Sequence, residues 1–131
     1  MDELPIRTGD DVVRVRQQVR VVAAKTGLSL VDQTKVVTAA SELARNALVH
    51  GGGGVAGVEV VTSGHGKNGI RIGITDEGPG IADVDLALTD GWSSGVGLGL
   101  GLSGARRLVD EFELTSAPGS GTSVVVVKWS R

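Results

Sequence analysis

The sequence predicts an α+β fold, a two-layer α/β sandwich in which helices lie on one face of a mixed, mostly antiparallel sheet. Three observations predict it. Apolar residues recur at helical spacing through residues 10–26 and again through residues 29–50. Residues 70–75 alternate, with Ile70, Ile72 and Ile74 set against Arg71, Gly73 and Thr75, as a strand with one buried face requires. The order of elements is two helices, two strands, a helix and two strands, a pattern that stacks helices on one side of hairpin-connected strands.

Each element follows from local signals. Residues 4–7 read as a short edge strand, because Pro5 lacks a ladder donor. Thr8 or Asp10 caps a helix to about residue 26, with Val12, Val15, Val19, Val22 and Ala23 on one stripe and Gly27 ending it. Ser29 or Asp32 starts a second helix to about His50, in which Val36, Ala40, Leu43, Ala44 and Ala47 repeat at helical spacing. The glycines 51–54 stop it. Residues 58–62 and 70–75 form neighbouring strands. Residues 82–98 show no sustained period, and residues 100–109 read as a helix entered through glycines. Residues 111–116 and 122–129 close the chain as a hairpin around Pro118, Gly119, Ser120 and Gly121.

Composition excludes several classes of function. The 131 residues, 40% hydrophobic and 21% charged, fit one domain over 1–131 with a single core. A net charge of -2 with scattered Lys and Arg gives no electrostatic footprint for nucleic acid. No cysteine is present, and two isolated histidines do not make a structural zinc site. The acidic start lacks the basic and apolar regions of a signal peptide, and no apolar run approaches the ~20 residues that span a bilayer. A cytoplasmic protein that does not engage membranes is expected. The 21 glycines fall in islands between strongly periodic segments, so they mark loops in an ordered chain.

Three segments carry chemistry. Glu42 and Asn46, in Glu-Leu-Ala-Arg-Asn, lie one turn apart on the second helix and well off its apolar stripe. They make either a solvated polar pair or a site in which Asn46 offers a neutral oxygen to Mg²⁺ and Glu42 acts as a general base. Asp76-Glu-Gly-Pro-Gly80-Ile81 is either a Pro-Gly turn after a strand or a strand-end carboxylate beside glycines that admit a ligand. An exocyclic amine would suit that acceptor. Gly95-Val-Gly-Leu-Gly-Leu-Gly101 contains a decoy, because Gly99-Leu-Gly-Leu-Ser-Gly104 matches the dinucleotide spacing. No strand precedes it, and no Asp or Glu follows Glu113, so a dinucleotide fold is excluded. Gly66-Lys67-Asn68 is no P-loop. What survives is a glycine-rich lead into a helix N-terminus, either a simple loop or a phosphate cradle.

These segments, in this order and with Gly119-Ser-Gly-Thr122 after them, resemble the N, G1, G2 and G3 boxes of the GHKL (Bergerat-fold) ATPases over roughly residues 38–125. The resemblance implies an ATP site between helices and sheet under a glycine-rich lid. It assigns Glu42 as catalytic base, Asn46 as Mg²⁺ ligand and Asp76 as acceptor for the adenine amino group, with Gly78, Gly80 and Ile81 shaping that pocket. Gly97, Leu98, Gly99, Leu100, Gly101 and Leu102 would line the phosphates, and Thr122 would lie near the adenine.

Gyrase- and chaperone-like branches act through large additional domains for which 131 residues leave no room. A sensor histidine kinase needs an acceptor histidine on a dimerisation helix, and neither His50 nor His65 is so placed. The segments 40–46 and 97–112 are similar to those of RsbT-type serine/threonine kinases of bacterial partner switching, with Leu100 and Ser103 departing from the small residue and proline common there. That branch implies ATP and Mg²⁺ as cofactors and a STAS-domain antagonist as substrate. It also implies activation of a PPM-type phosphatase. The alternative is an RsbW-type anti-sigma factor, a sigma-binding module whose nucleotide selects its partner. Trp92 falls within the expected lid.

Overall fold

The structure, a computed structural model, describes residues 2–78, 101–116, 119 and 121–131. The positions of Gly80, Ile81, Trp92, Gly97, Leu98, Gly99 and Leu100 lie outside the described residues. Strand β1 (Asp2–Ile6) is followed by α1 (Gly9–Lys25), α2 (Leu30–Val49), β2 (Gly54–Thr62), β3 (Asn68–Asp76), α3 (Gly101–Arg107), β4 (Glu111–Ser116) and β5 (Thr122–Trp129). The strands form one five-stranded sheet in the order β1-β2-β3-β5-β4, with every pairing antiparallel. As expected from Pro5, β1 is an edge strand.

Both long helices start where the side chains can cap them. At α1 the Thr8 hydroxyl accepts from the Asp11 N–H at 3.3 Å, and the Asp11 carboxylate accepts from the N–H groups of Thr8 at 3.1 Å and Arg7 at 2.8 Å. At α2 the Ser29 hydroxyl accepts from the Asp32 N–H at 3.1 Å. Thr8→Ala should cost about 1 kcal/mol, read as a lower urea midpoint with an unchanged slope.

The helices cover one sheet face. Val15, Val19, Val22 and Ala23 of α1 and Val36, Ala40, Leu43, Ala44 and Ala47 of α2 meet Ile70, Ile72 and Ile74 of β3 and Val124 and Val126 of β5 in one buried cluster. The predicted Val12 is only partly buried at its margin. Strand β2 begins at Gly54, earlier than its apolar residues suggest, because β1 and β3 both supply ladder partners there. The other sheet face lacks helical cover among the described residues. It carries the Arg71–Glu59 ion pair at 2.8 Å over the cross-strand pair Gly57 and Gly73.

Alternation along β5 also turns Lys128 inward, where its side chain is 5% exposed. Its ammonium lies 3.7 Å from Asp32 at the first turn of α2 and 3.4 Å from Asp110 before β4. Burial pushes the Asp110 carboxyl up, but the Trp129 N–H at 2.8 Å and the charges of Lys128 and Arg131 outweigh it and hold the group below the usual carboxylate range. A carboxyl depressed in the folded state stabilises fully above its unfolded pKa. That contribution is lost as pH falls through the folded value. Melting midpoints taken from about pH 6 to pH 2 should therefore fall less steeply for Asp110→Asn than for the parent chain. Among the described residues no helix is long and apolar enough to cross a membrane.

Candidate active site

The site grows from the C-terminal end of α2. Glu42 and Asn46 sit on this helix beside the core residues Leu43 and Ala47, yet neither is a solvated surface residue. Glu42 is 9% exposed and Asn46 is half-buried. Glu42 lines a groove, and among the described residues no side-chain oxygen is both buried and unpartnered, so its stem is packed while its carboxylate stays reachable. The main chain then reverses. The Asn46 carbonyl accepts from the N–H groups of His50 at 2.9 Å and Gly51 at 3.3 Å, and the Ala47 carbonyl accepts from Gly53 at 2.9 Å. Gly52 and Gly53 make the reversal with φ of 72° and 115°, a region that side chains resist.

The reversal delivers Gly51 against the end of β3. Asp76 is paired in register with Gly54 of β2 on one side and Thr122 of β5 on the other. Its Oδ1 accepts from the Gly78 N–H at 2.9 Å. The Thr122 hydroxyl lies 2.9 Å from that of Ser116, across the β4–β5 pair. Asp76, Gly78 and Thr122, separated by up to 46 residues of chain, thus occupy one end of the sheet, next to the end of α2 that carries Asn46.

Directly after the glycine ladder in sequence, α3 packs against α2. Leu102 and Ala105 are buried in the common core at 6% and 0% exposure. Leu102 therefore gives its side chain to packing, and only its backbone N–H remains for a ligand. Gly101 stands at the first position of that helix.

A groove of about 540 Å³ runs between α1 and α2, lined by Arg16, Arg20, Arg45, Leu30 and Ser41, with Glu42 among its walls. Sequence reasoning missed it, because the basic residues look scattered along the chain. The spacing of Arg16 and Arg20, four apart on one helix, was the available signal.

The donor set suits Mg²⁺ carried with a nucleotide. Among the described residues no three His, Cys, Asp or Glu side chains converge as a metal cage, whereas a single amide such as Asn46 suits a cation that retains water and phosphate oxygens. The sequence profile of the histidine kinase-, DNA gyrase B-, and HSP90-like ATPases matches residues 31–130. The chain belongs to this family. Within the GHKL ATPases it is 46% identical, over 96% of its length and 94% of the relative's, to the serine/threonine-protein kinase RsbT of Bacillus subtilis (strain 168). It is 29% identical over 87% of its length, and 82% of the relative's, to an anti-sigma F factor of Thermoanaerobacter sp. (strain X514). Among solved structures it is similar to the RsbU and RsbW domains of a Mycobacterium tuberculosis protein, with a TM-score of 0.64 and 25% identity. That match covers 100% of this chain and 33% of the other. The α+β sandwich is the GHKL fold.

Proposed function

We propose that this GHKL chain is a protein serine/threonine kinase that phosphorylates a STAS-domain antagonist in a bacterial partner switch controlling stress or sigma-factor responses, and that it then activates a PPM-type phosphatase. The observation that carries the proposal is the burial of Glu42, one turn before Asn46, in the wall of an arginine-lined groove. The 46% identity to a serine/threonine kinase supports it.

In this reading the substrate hydroxyl gives its proton to the Glu42 carboxylate as its oxygen bonds to the γ-phosphorus. The bond from that phosphorus to the β-bridging oxygen breaks, and ADP leaves. Asp76 accepts from the adenine amine, with Thr122 beside it. Backbone N–H groups of the segment 97–102 face the phosphates. Mg²⁺, when bound at Asn46, supplies charge neutralisation on the phosphate oxygens. Arg16, Arg20 and Arg45 give the groove a positive lining that favours an acidic protein surface. The chain works as a single domain in the cytoplasm.

The test is to mix the protein with Mg²⁺, γ-labelled ATP and a STAS protein from the same genome. Label should appear on a serine or threonine of the STAS protein. Absence of transfer to every such partner overturns the kinase reading. Similarity to anti-sigma F factors favours one second reading, an RsbW-type anti-sigma factor. Pull-down separates the two, since a captured sigma factor supports the second and a captured PPM phosphatase the first.

A further inference from the structure

The glycines 51–53 occupy one turn before Gly54 opens β2, but they differ in what they require. Gly52 and Gly53 need positive φ, and nothing lies within 4 Å of a Cβ built on Gly52. Gly51 is the reverse case. Its φ is not positive, so any L-residue can adopt its backbone. What it lacks is room. A Cβ there meets the Asp76 carboxyl carbon first, then the Asp76 Cβ at 2.6 Å and Oδ1 at 2.7 Å. All three contacts fall on one side chain, the acid at the end of β3.

The remaining surroundings of Asp76 are equally bare. A Cβ on Gly78 would sit 2.5 Å from the Gly51 Cα, and one on Gly121 would strike the Asp76 carbonyl oxygen. The Gly78 N–H holds Oδ1 at 2.9 Å. Asp76 is thus collared, with Gly51 against its side chain, the Gly78 N–H on Oδ1 and Gly121 against its backbone carbonyl, and among the described residues Oδ2 is left to accept from outside. A carboxylate that reads a ligand must be held within about half an ångström of its productive place, and the collar does this by packing.

We infer that Gly51 is the positioning residue for the base-reading carboxylate. It closes directly on the Asp76 side chain and fixes which oxygen faces the nucleobase, so it sets selectivity for a purine bearing an exocyclic amine. This inference rests on the ATP-site reading of Asp76. It ties the end of the helix that carries Glu42 and Asn46 to the base pocket, because the residue that terminates α2 also sets the Asp76 rotamer.

The experiment compares ATP with purine riboside triphosphate, which lacks only the exocyclic amine, by calorimetric titration with Mg²⁺. The parent chain should prefer ATP by about tenfold or more, the contribution of one hydrogen bond to a charged acceptor. Gly51→Ala should lose that preference while binding purine riboside triphosphate nearly as before. A loop that is merely loosened would instead weaken both ligands alike. If Gly51→Ala keeps the parent's preference, the inference is overturned and the reading of Asp76 stands. If the parent itself shows no preference, the reading of Asp76 falls and the inference with it. A second measurement covers a Gly51→Ala chain that folds poorly. In the Asp76→Gly background the three atoms nearest the new methyl are gone, so the double variant should melt close to the midpoint of Asp76→Gly alone. A double variant that melts well below Asp76→Gly overturns the inference.

Discussion

Replacing Glu42 by glutamine should leave ATP bound and lower phosphoryl transfer to the STAS partner by about 10²–10⁴-fold, the usual contribution of a positioned base. Glutamine keeps the shape and the helical preference of the acid and removes only the proton acceptor. Glu42 is 9% exposed and fills part of the groove wall, which glutamine refills with nearly the same volume. The variant should therefore melt close to the parent's temperature while being nearly inactive, which separates lost chemistry from lost folding. Single-turnover label transfer, paired with a thermal melt and an ATP titration, makes the measurement. Transfer at the parent's rate would remove Glu42 from its role. A variant that neither transfers nor binds ATP would assign the acid to nucleotide binding.

The largest expected effect on stability lies at Lys128. Lys128→Met keeps the apolar stem in the core and removes the ammonium that stands between Asp32 and Asp110. Two poorly exposed carboxylates would then face each other without their buried counter-charge, a situation that costs about 3–5 kcal/mol where nothing else compensates. Arg131 still reaches Asp110 at 3.0 Å and Asp32 at 3.9 Å, but it is 68% exposed and partly screened. The expected loss is therefore about 2–3 kcal/mol, at or just below the bottom of that range. Chemical denaturation gives the number, and a double-mutant cycle with Asp110→Asn gives its origin. Asp110→Asn should cost less in the Lys128→Met chain than in the parent, and equal costs in both would show that the lysine acts by packing alone.

Much of the fold was legible because its signals are local. Thr8 and Ser29 cap the helices as their side chains allow, and the alternation of Ile70, Ile72 and Ile74 faces the core as read. The start of β2 was not legible. Gly54, Ala56 and Gly57 have little intrinsic preference for a strand, and the two flanking strands impose that conformation. Strand order was equally hidden, since nothing local says that β5 pairs with β3 as well as β4.

For the candidate site, the motifs single out Glu42, Asn46, Asp76, Gly78 and Thr122, and the structure brings the ends of their elements together. Gly51 was read only as a helix stop, because its purpose depends on a side chain 25 positions away that sequence spacing does not place. Lys128 carried a usable signal that went unread. A lysine in phase with the inward Val124 and Val126 of an alternating strand calls for a buried acid.

The position of β5 has a consequence for how the protein comes into being. It is the last of the five described strands but stands inside the sheet, between β3 and β4, and it brings Thr122 beside Asp76. A nascent chain on the ribosome can pair β1, β2 and β3 and raise both long helices over them, yet β3 keeps an open edge until residue 129 has emerged. Until then Asp76 lacks its β5 neighbour Thr122. On the proposed reading, nucleotide therefore has no finished site on a partly made chain, and the protein becomes competent for its ligand in the same step that completes its sheet.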